Sequence, residues 1–362
     1  MSETDKRTPL HDRHVEIGGR MVSFAGWDMP VQYATGIIGE HRIVRTACGV
    51  FDISHMGQFE AKGEHAAEWL GSLLTNDALA LEVGRGQYTL MLNERGGVID
   101  DMIIYRSAEE SFLIVVNASM IDEDFAWMEA HRAEGVSLTD RSDDFAGMAV
   151  QGPECSAVFR NAFPGQFLPS RNGIRAAEID GDGCFFCRTG YTGEDGFEFF
   201  CPASSAVKWF DRLIAAGAKP CGLGARDSLR LEMCYPLNGS DLSPDRTPIE
   251  AGLGFFCALD TDFIGAEMLR SQKAEGPRLR LAAIEYTQKG APPRHGYEVQ
   301  TPDGTRLGEL SSGILSPSIG KGIGMAYLPA EYAKPGTPVQ VIVRGRPVPA
   351  VTVRKPFYRK DG

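Results

Sequence analysis

The 362-residue sequence predicts an α+β protein that closes with a small all-β domain, a barrel or sandwich, and three observations carry that reading. Helical segments with polar caps alternate irregularly with strands, so no repeating βαβ pattern emerges. The strands between them are short, β-branched or aromatic, and broken by glycine turns. Beyond about residue 275 the helical signal stops, and LRLAAIEY, HGYEVQT, TRLGELSSG, GIGMAYL, PVQVIVRG and RPVPAVTVRKPF follow one another at regular spacing. The polar stretch SQKAEGPR contains glycine and proline, which sets a boundary between a first region, 1–275, and a second, 276–362.

The helices follow from caps and periodicity. Over 204–217, Ser204 or Ser205 serves as cap, Val207, Phe210, Leu213 and Ile214 share a face, and Gly217 ends the run. Over 120–135 the acids stand in the first turn and the basic residues in the last, as the helix dipole favours. Further helices are expected over 39–48, 65–74, 223–233 and 264–273.

Composition narrows the function. With 43% hydrophobic and 23% charged residues the chain is globular and long enough for two or three cores. A net charge of −11 argues against sequence-independent nucleic-acid binding and against an anionic membrane surface. An anionic small ligand stays open where arginines converge. No apolar run approaches the roughly 20 residues of a membrane span. The start, MSETDKRTPLHDRH, has neither the apolar core of a secretory signal nor the character of a transit peptide, so a soluble cytoplasmic protein is expected. Eight cysteines scattered through apolar segments read as reduced core thiols, and the Cys184/Cys187 pair reads as part of a packed strand rather than a zinc or redox site.

Four segments carry candidate chemistry. In GGVIDDMIIY, side chains alternate, so Ile99, Asp101, Ile103 and Tyr105 share one face of a strand and Val98, Asp100, Met102 and Ile104 the other. Both faces are otherwise apolar, which places at least one carboxylate near an interior or cleft. The pair either caps a neighbouring element or does chemistry. RTGYTGEDGFEFF has a longer glycine-rich lead-in than a hairpin needs. If the strand resumes at Phe197, Phe197 and Phe199 face one side and Glu198 the other, where a carboxylate suits paired N–H donors of a heterocycle such as a pterin. CGLGARDSLRLE resembles the opening of a dinucleotide loop, but Asp227 stands where a third glycine belongs. Arg226 there suits a carboxylate or phosphate, and Arg230 with Asp227 suits an ion pair. Glu250, in TPIEAGLG, reads as a helix-start acid. No Ser-His-Asp order, Walker loop or calcium loop is present.

Taken in order, TPLHDRHVEIGGRMVSFAGWDMPVQY, FDISHMGQFE, GGVIDDMIIY, GYTGEDGFE, GLGARDSLRLE, TPIEAGLGFF, DFIGAE, SSGILSPSIGKGIGMAY and KPFY resemble the T-protein family of the glycine cleavage system, tetrahydrofolate-dependent aminomethyltransferases. The resemblance runs from about Thr8 to Tyr358. It implies a three-lobed cloverleaf with two interleaved lobes in the first region, the second at roughly 52–137, and a β-barrel third. It also implies a reaction in glycine catabolism and one-carbon metabolism. The methylene of an aminomethyl group on lipoylated H protein passes to tetrahydrofolate as co-substrate, with ammonia released, and the other glycine cleavage components are partners. Asp101 would be the catalytic acid. Glu198 would bind the pterin edge, Tyr191 the ring and Arg226 the cofactor's oxygens, with Met56, Val115 and Asn117 lining the channel and Arg294 facing the folate tail. No metal is implied. Phe255 stands where many relatives carry tryptophan. Folate-dependent demethylases of the same fold are the alternative. The folate-binding group linked to iron-sulfur maturation carries KGCYxGQE, a string this sequence lacks.

Overall fold

The computed structural model describes residues 5–360. The chain divides into two units, each assembled from separated segments: the first takes residues up to Leu73, Asp77–Thr89 and Asp101–Asp227, the second Leu74–Asn76, Leu90–Asp100 and everything from Ser228 on.

The first unit holds a six-stranded sheet in the order Ile174–Ile179, Asp182–Cys187, Gly196–Pro202, Phe145–Gln151, Gly49–Asp52, Lys219–Pro220. Only the last pair is parallel. The strand Gly196–Pro202 alternates as expected: Phe197 and Phe199 point into a core with Phe159, Phe163, Phe186 and Trp209, while Glu198 points to the opposite face. The Phe163 and Trp209 rings stack with centroids 5.5 Å apart, and Phe186 and Phe199 lie 5.2 Å apart. The helices Cys155–Ala162 and Ala206–Ala215 supply much of that cover. At the N-terminal helix His11–Glu16, His14 Nε2 lies 3.0 Å from Asp52 Oδ2, which also accepts from the Thr8 hydroxyl at 2.7 Å. Tyr33 Oη completes the buried set 2.8 Å from His14 Nδ1.

A five-stranded sheet runs Arg85–Leu92, Val98–Ala108, Ser111–Val116, Gly57–Lys62, Ser137–Asp140. Its antiparallel register sets Ile103 opposite Val115 and Gln58 opposite Val115 on the other side. The unit boundary crosses its first two strands, after Thr89 and after Asp100.

In the second unit a closed barrel runs Leu279–Tyr286, Gly322–Pro329, Arg306–Leu315, Glu298–Gln300, Pro338–Val343, Arg346–Val353. Closure removes sheet edges, and Ile284, Val299, Leu310, Leu328 and Val341 fill its interior. The six regularly spaced segments of the sequence are its six strands. Beside them Arg230 Nη1 pairs with Asp241 Oδ2 at 2.7 Å, and both Ser311 and Ser312 donate to that carboxylate. Asp241 is thus a buried ion-pair partner of Arg230. Thr247 and Glu250 form a reciprocal capping box at the start of Pro248–Ala251, so Glu250 is a helix-start acid.

The six expected helices are all present, with three local differences. The helix expected over 120–135 is Ile121–Ala130 and has no basic residue in its last turn. Ser205 does stand at the cap position of Ala206–Ala215, but its hydroxyl donates to Asp182 Oδ1 at 2.8 Å. Val207 is 42% exposed, because the buried face is Ala206, Trp209, Phe210 and Leu213. The eight cysteines are free and buried, and burial pushes Cys184 up to about 12. Among the described residues no helix is long and apolar enough to cross a membrane.

Candidate functional site

Asp101 sits half-buried near the start of Val98–Ala108, where flanking apolar residues keep the strand inside on both faces. Two side-chain donors orient its carboxylate. Tyr88 Oη donates to Oδ2 at 2.9 Å, and Asn117 Nδ2 donates to Oδ1 at 3.1 Å while also reaching the Asp101 carbonyl at 3.0 Å. The register explains the second contact: Ile103 pairs with Val115, so Asn117, just past the strand end, arrives across from Asp101. On the other side of Ser111–Val116, Gly57 pairs with Val116, which brings half-buried Met56 level with Asn117. Asp101, Asn117, Met56 and buried Val115 thus gather at one end of three neighbouring strands. Asp100, one residue earlier, is fully buried in the second unit, where Asn238 Nδ2 donates to its carboxylate.

The second group centres on Glu198. Tyr105, on the same strand face as Asp101 and roughly 13 Å along it, lies with its hydroxyl 2.6 Å from Thr189 Oγ1. Thr189 Oγ1 in turn donates to Glu198 Oε2 at 2.8 Å. Burial pushes the Glu198 carboxyl above its usual range, and the Thr189 hydroxyl, the Arg226 charge and Tyr105 oppose that push. Half-exposed Tyr191 stands in the neighbouring glycine-rich loop, with the Arg226 guanidinium 4.9 Å from its ring centroid. A buried acceptor, an aromatic face and a cation therefore converge around one strand end and one helix start.

Four residues that sequence reasoning did not single out join these groups: Tyr88, Tyr105, Thr189 and His55. Strand alternation places Tyr105 on the Asp101 face, but its link to Glu198 runs through a contact 84 residues away in sequence. His55 precedes Met56 in FDISHMG and is buried, with no partner for Nδ1. Burial holds its pKa down at about 4, aided by the Arg226 charge and opposed by that of Asp52, so the ring is neutral near pH 7. Arg294 lies exposed in the second unit, ahead of the barrel strand Glu298–Gln300.

An oriented carboxylate and a buried acceptor beside an aromatic ring suit a planar heterocycle with N–H donors and a reaction in which positive charge develops. Comparison with known proteins agrees in kind. Residues 10–261 match the GCVT N-terminal domain and residues 280–359 the glycine cleavage T-protein C-terminal barrel domain. An aminomethyltransferase of Desulfitobacterium hafniense (strain DSM 10664 / DCB-2) is 44% identical over 366 residues, 99% of each chain. One from Bacillus subtilis (strain 168) is 44% identical over 363 residues, 98% of this chain and 99% of that one. The crystal structure of glycine cleavage system aminomethyltransferase T from Bartonella henselae superposes with a TM-score of 0.91 at 34% identity, covering 98% of both chains.

Proposed function

The chain belongs to the glycine cleavage T-protein family, and from that premise we propose which of its residues carry the reaction. Fold and activity follow from membership: this is an α+β protein with a C-terminal β-barrel and a glycine cleavage aminomethyltransferase. Tetrahydrofolate is the acceptor, and an aminomethyl group on the lipoyl arm of H protein is the donor. When bound, tetrahydrofolate supplies the nitrogens that take up the methylene, with ammonia released.

Each residue's part follows from its surroundings. Glu198, a buried acceptor whose Oε2 is already fixed by Thr189, receives the N–H donors of the pterin edge. Tyr191 packs on the ring, and Arg226 above it holds carbonyl or carboxylate oxygens of the cofactor. Asp101 is the catalytic acid. Its charge stabilises the cationic carbon that develops as the amine leaves, and its Oδ atoms relay a proton between reacting nitrogens. Tyr88 and Asn117 keep that carboxylate in one orientation, so no reorganisation is needed as charge builds. Met56 and Val115 line the same strand ends, and Arg294 is assigned to the folate tail by resemblance. We further propose a division at 1–275 and 276–362, with a second lobe at roughly 52–137, and a cytoplasmic location shared with other glycine cleavage components.

The observation that carries the assignment is the linkage of both acids through one strand face: Asp101 at its head and Tyr105, two alternations on, reaching Glu198 through Thr189. The experiment is single-turnover ammonia release from aminomethyl-loaded lipoyl H protein, with and without tetrahydrofolate. Asp101→Asn keeps the shape and removes the charge, and is expected to slow folate-stimulated release about 100-fold or more. Unchanged release in the variant overturns the role of Asp101. Absence of release in the wild type, with folate binding intact, turns the reading toward the demethylases.

A further inference from the structure

The loop from Thr189 to Asp195 is wrapped around a single side chain. Gln151, the last residue of Phe145–Gln151 and 1% exposed, projects between Gly190 and Gly196; a Cβ at either glycine would collide with its amide. Both ends of that amide are used. Its Nε2 donates to the Thr189 carbonyl at 3.1 Å, and its Oε1 accepts from Thr192 Oγ1 at 2.9 Å. The far side of the loop is held by Arg45, from the helix Gly36–Thr46. Arg45 Nη1 donates to the Thr192 carbonyl at 2.7 Å and to Glu194 Oε1 at 3.0 Å, with the two charged side chains 6% and 1% exposed. Thr192 Oγ1 accepts in addition from the Glu194 N–H at 3.2 Å. The loop exit is closed by Arg188, whose Nη2 reaches Asp195 Oδ2 at 2.8 Å, and by the Gly152 N–H donating to the Asp195 carbonyl at 2.8 Å.

This is far more restraint than a surface hairpin requires, and it brackets Tyr191, whose half-exposed ring meets Arg226. A buried ion pair costs desolvation that a turn alone does not repay, so its value lies in fixing one geometry. We propose that Arg45 and Gln151 are positioning residues, which preset the Tyr191 ring against Arg226 so that the cofactor meets an ordered face instead of ordering the loop on arrival. The inference rests on the folate reading above and adds to it two residues that touch no substrate.

The test uses the full chain and steady-state kinetics in tetrahydrofolate at saturating aminomethyl-lipoyl H protein, alongside direct titration of tetrahydrofolate and the thermal midpoint. Arg45→Gln removes the charge that ties Thr192 and Glu194. Because a broken buried pair endangers folding, Thr192→Val, nearly isosteric and lacking only the hydroxyl, is the second probe. Each is expected to raise KM and Kd for tetrahydrofolate about 10-fold, equivalent to about 1.4 kcal/mol, with the change in KM exceeding that in kcat. Both effects act through Tyr191, so adding either to Tyr191→Ala should cost less than about 2-fold more, a non-additive cycle. A lowered thermal midpoint with unchanged folate KM and Kd in both variants would mean the clamp is structural only, and overturns the inference. Full additivity with Tyr191→Ala overturns it as well. If Tyr191→Ala alone leaves folate KM and Kd at wild-type values, the folate-site reading itself fails and the inference falls with it.

Discussion

His55 shows how one buried side chain sets a property of the whole protein. Its ring is held neutral down to a pKa of about 4, against 6.5 for an ordinary histidine. Because the folded value lies below the unfolded one, its stabilisation is complete above about pH 6.5 and is lost as pH falls through about 4. The wild type should therefore lose about 3 kcal/mol over that interval from this residue, and His55→Gln should flatten the pH dependence of the urea midpoint there. Equal slopes in the two proteins would show that His55 ionises freely in the native state. At this scale the sequence was partly legible. Strand alternation separated Asp101 from Asp100 and Glu198 from its phenylalanine neighbours, because a period of two is local. Tyr88 and Thr189 were not legible, since each draws its significance from partners that only tertiary pairing supplies, and neither was the burial that leaves Nδ1 of His55 without one.

At the scale of elements, Gly196–Pro202 divides its labour by alternation, with aromatic rings on one face and the Glu198 carboxylate on the other. Phe199→Ala, which opens a cavity beside Phe163, Phe186 and Trp209, should cost about 3–5 kcal/mol in urea unfolding; a loss below about 1 kcal/mol would mean that the neighbouring rings collapse into the space. Helices were read correctly where caps and periodicity spanned several turns. They were missed at His11–Glu16, which is too short for a 3.6-residue period to declare itself, and at Cys155–Ala162, although its buried residues Cys155, Val158, Phe159 and Ala162 do follow that period. The helix expected to reach residue 135 stops at Ala130, where one long-range and one local contact occupy its end: the Trp69 indole donates to the His131 carbonyl at 2.8 Å, and His131 Nδ1 lies 2.8 Å from the Trp127 carbonyl. The surplus glycines before Glu198 were noticed in the sequence, but the residue they accommodate, Gln151, stands some 40 positions earlier.

For the molecule as a whole, the barrel was the most legible part, because closely spaced strands without helices leave few alternatives. Its polar anchor was not. Arg230, Asp241, Ser311 and Ser312 come together across as many as 82 residues of sequence. Asp241→Asn, which removes the buried carboxylate charge paired with Arg230, should destabilise the protein by about 3 kcal/mol or more in urea unfolding. A change within about 0.5 kcal/mol would show that contacts such as those to Ser312 Oγ and the Tyr235 carbonyl satisfy the guanidinium without the Asp241 charge. The same scale gives the paired aspartates a further meaning. Asp100 belongs to one unit and Asp101 to the next, and only the pleat of a single strand sends them to opposite sides. Chain length between the Gly96–Gly97 turn and Asp101 therefore matters as well as residue identity: one added residue there would carry Asp100 into the place of Asp101 and turn Asp101 to the opposite face, whereas one lost residue would put Met102 in that place. The segment thus works as a ruler, in which the count of residues after the turn decides which unit each carboxylate serves.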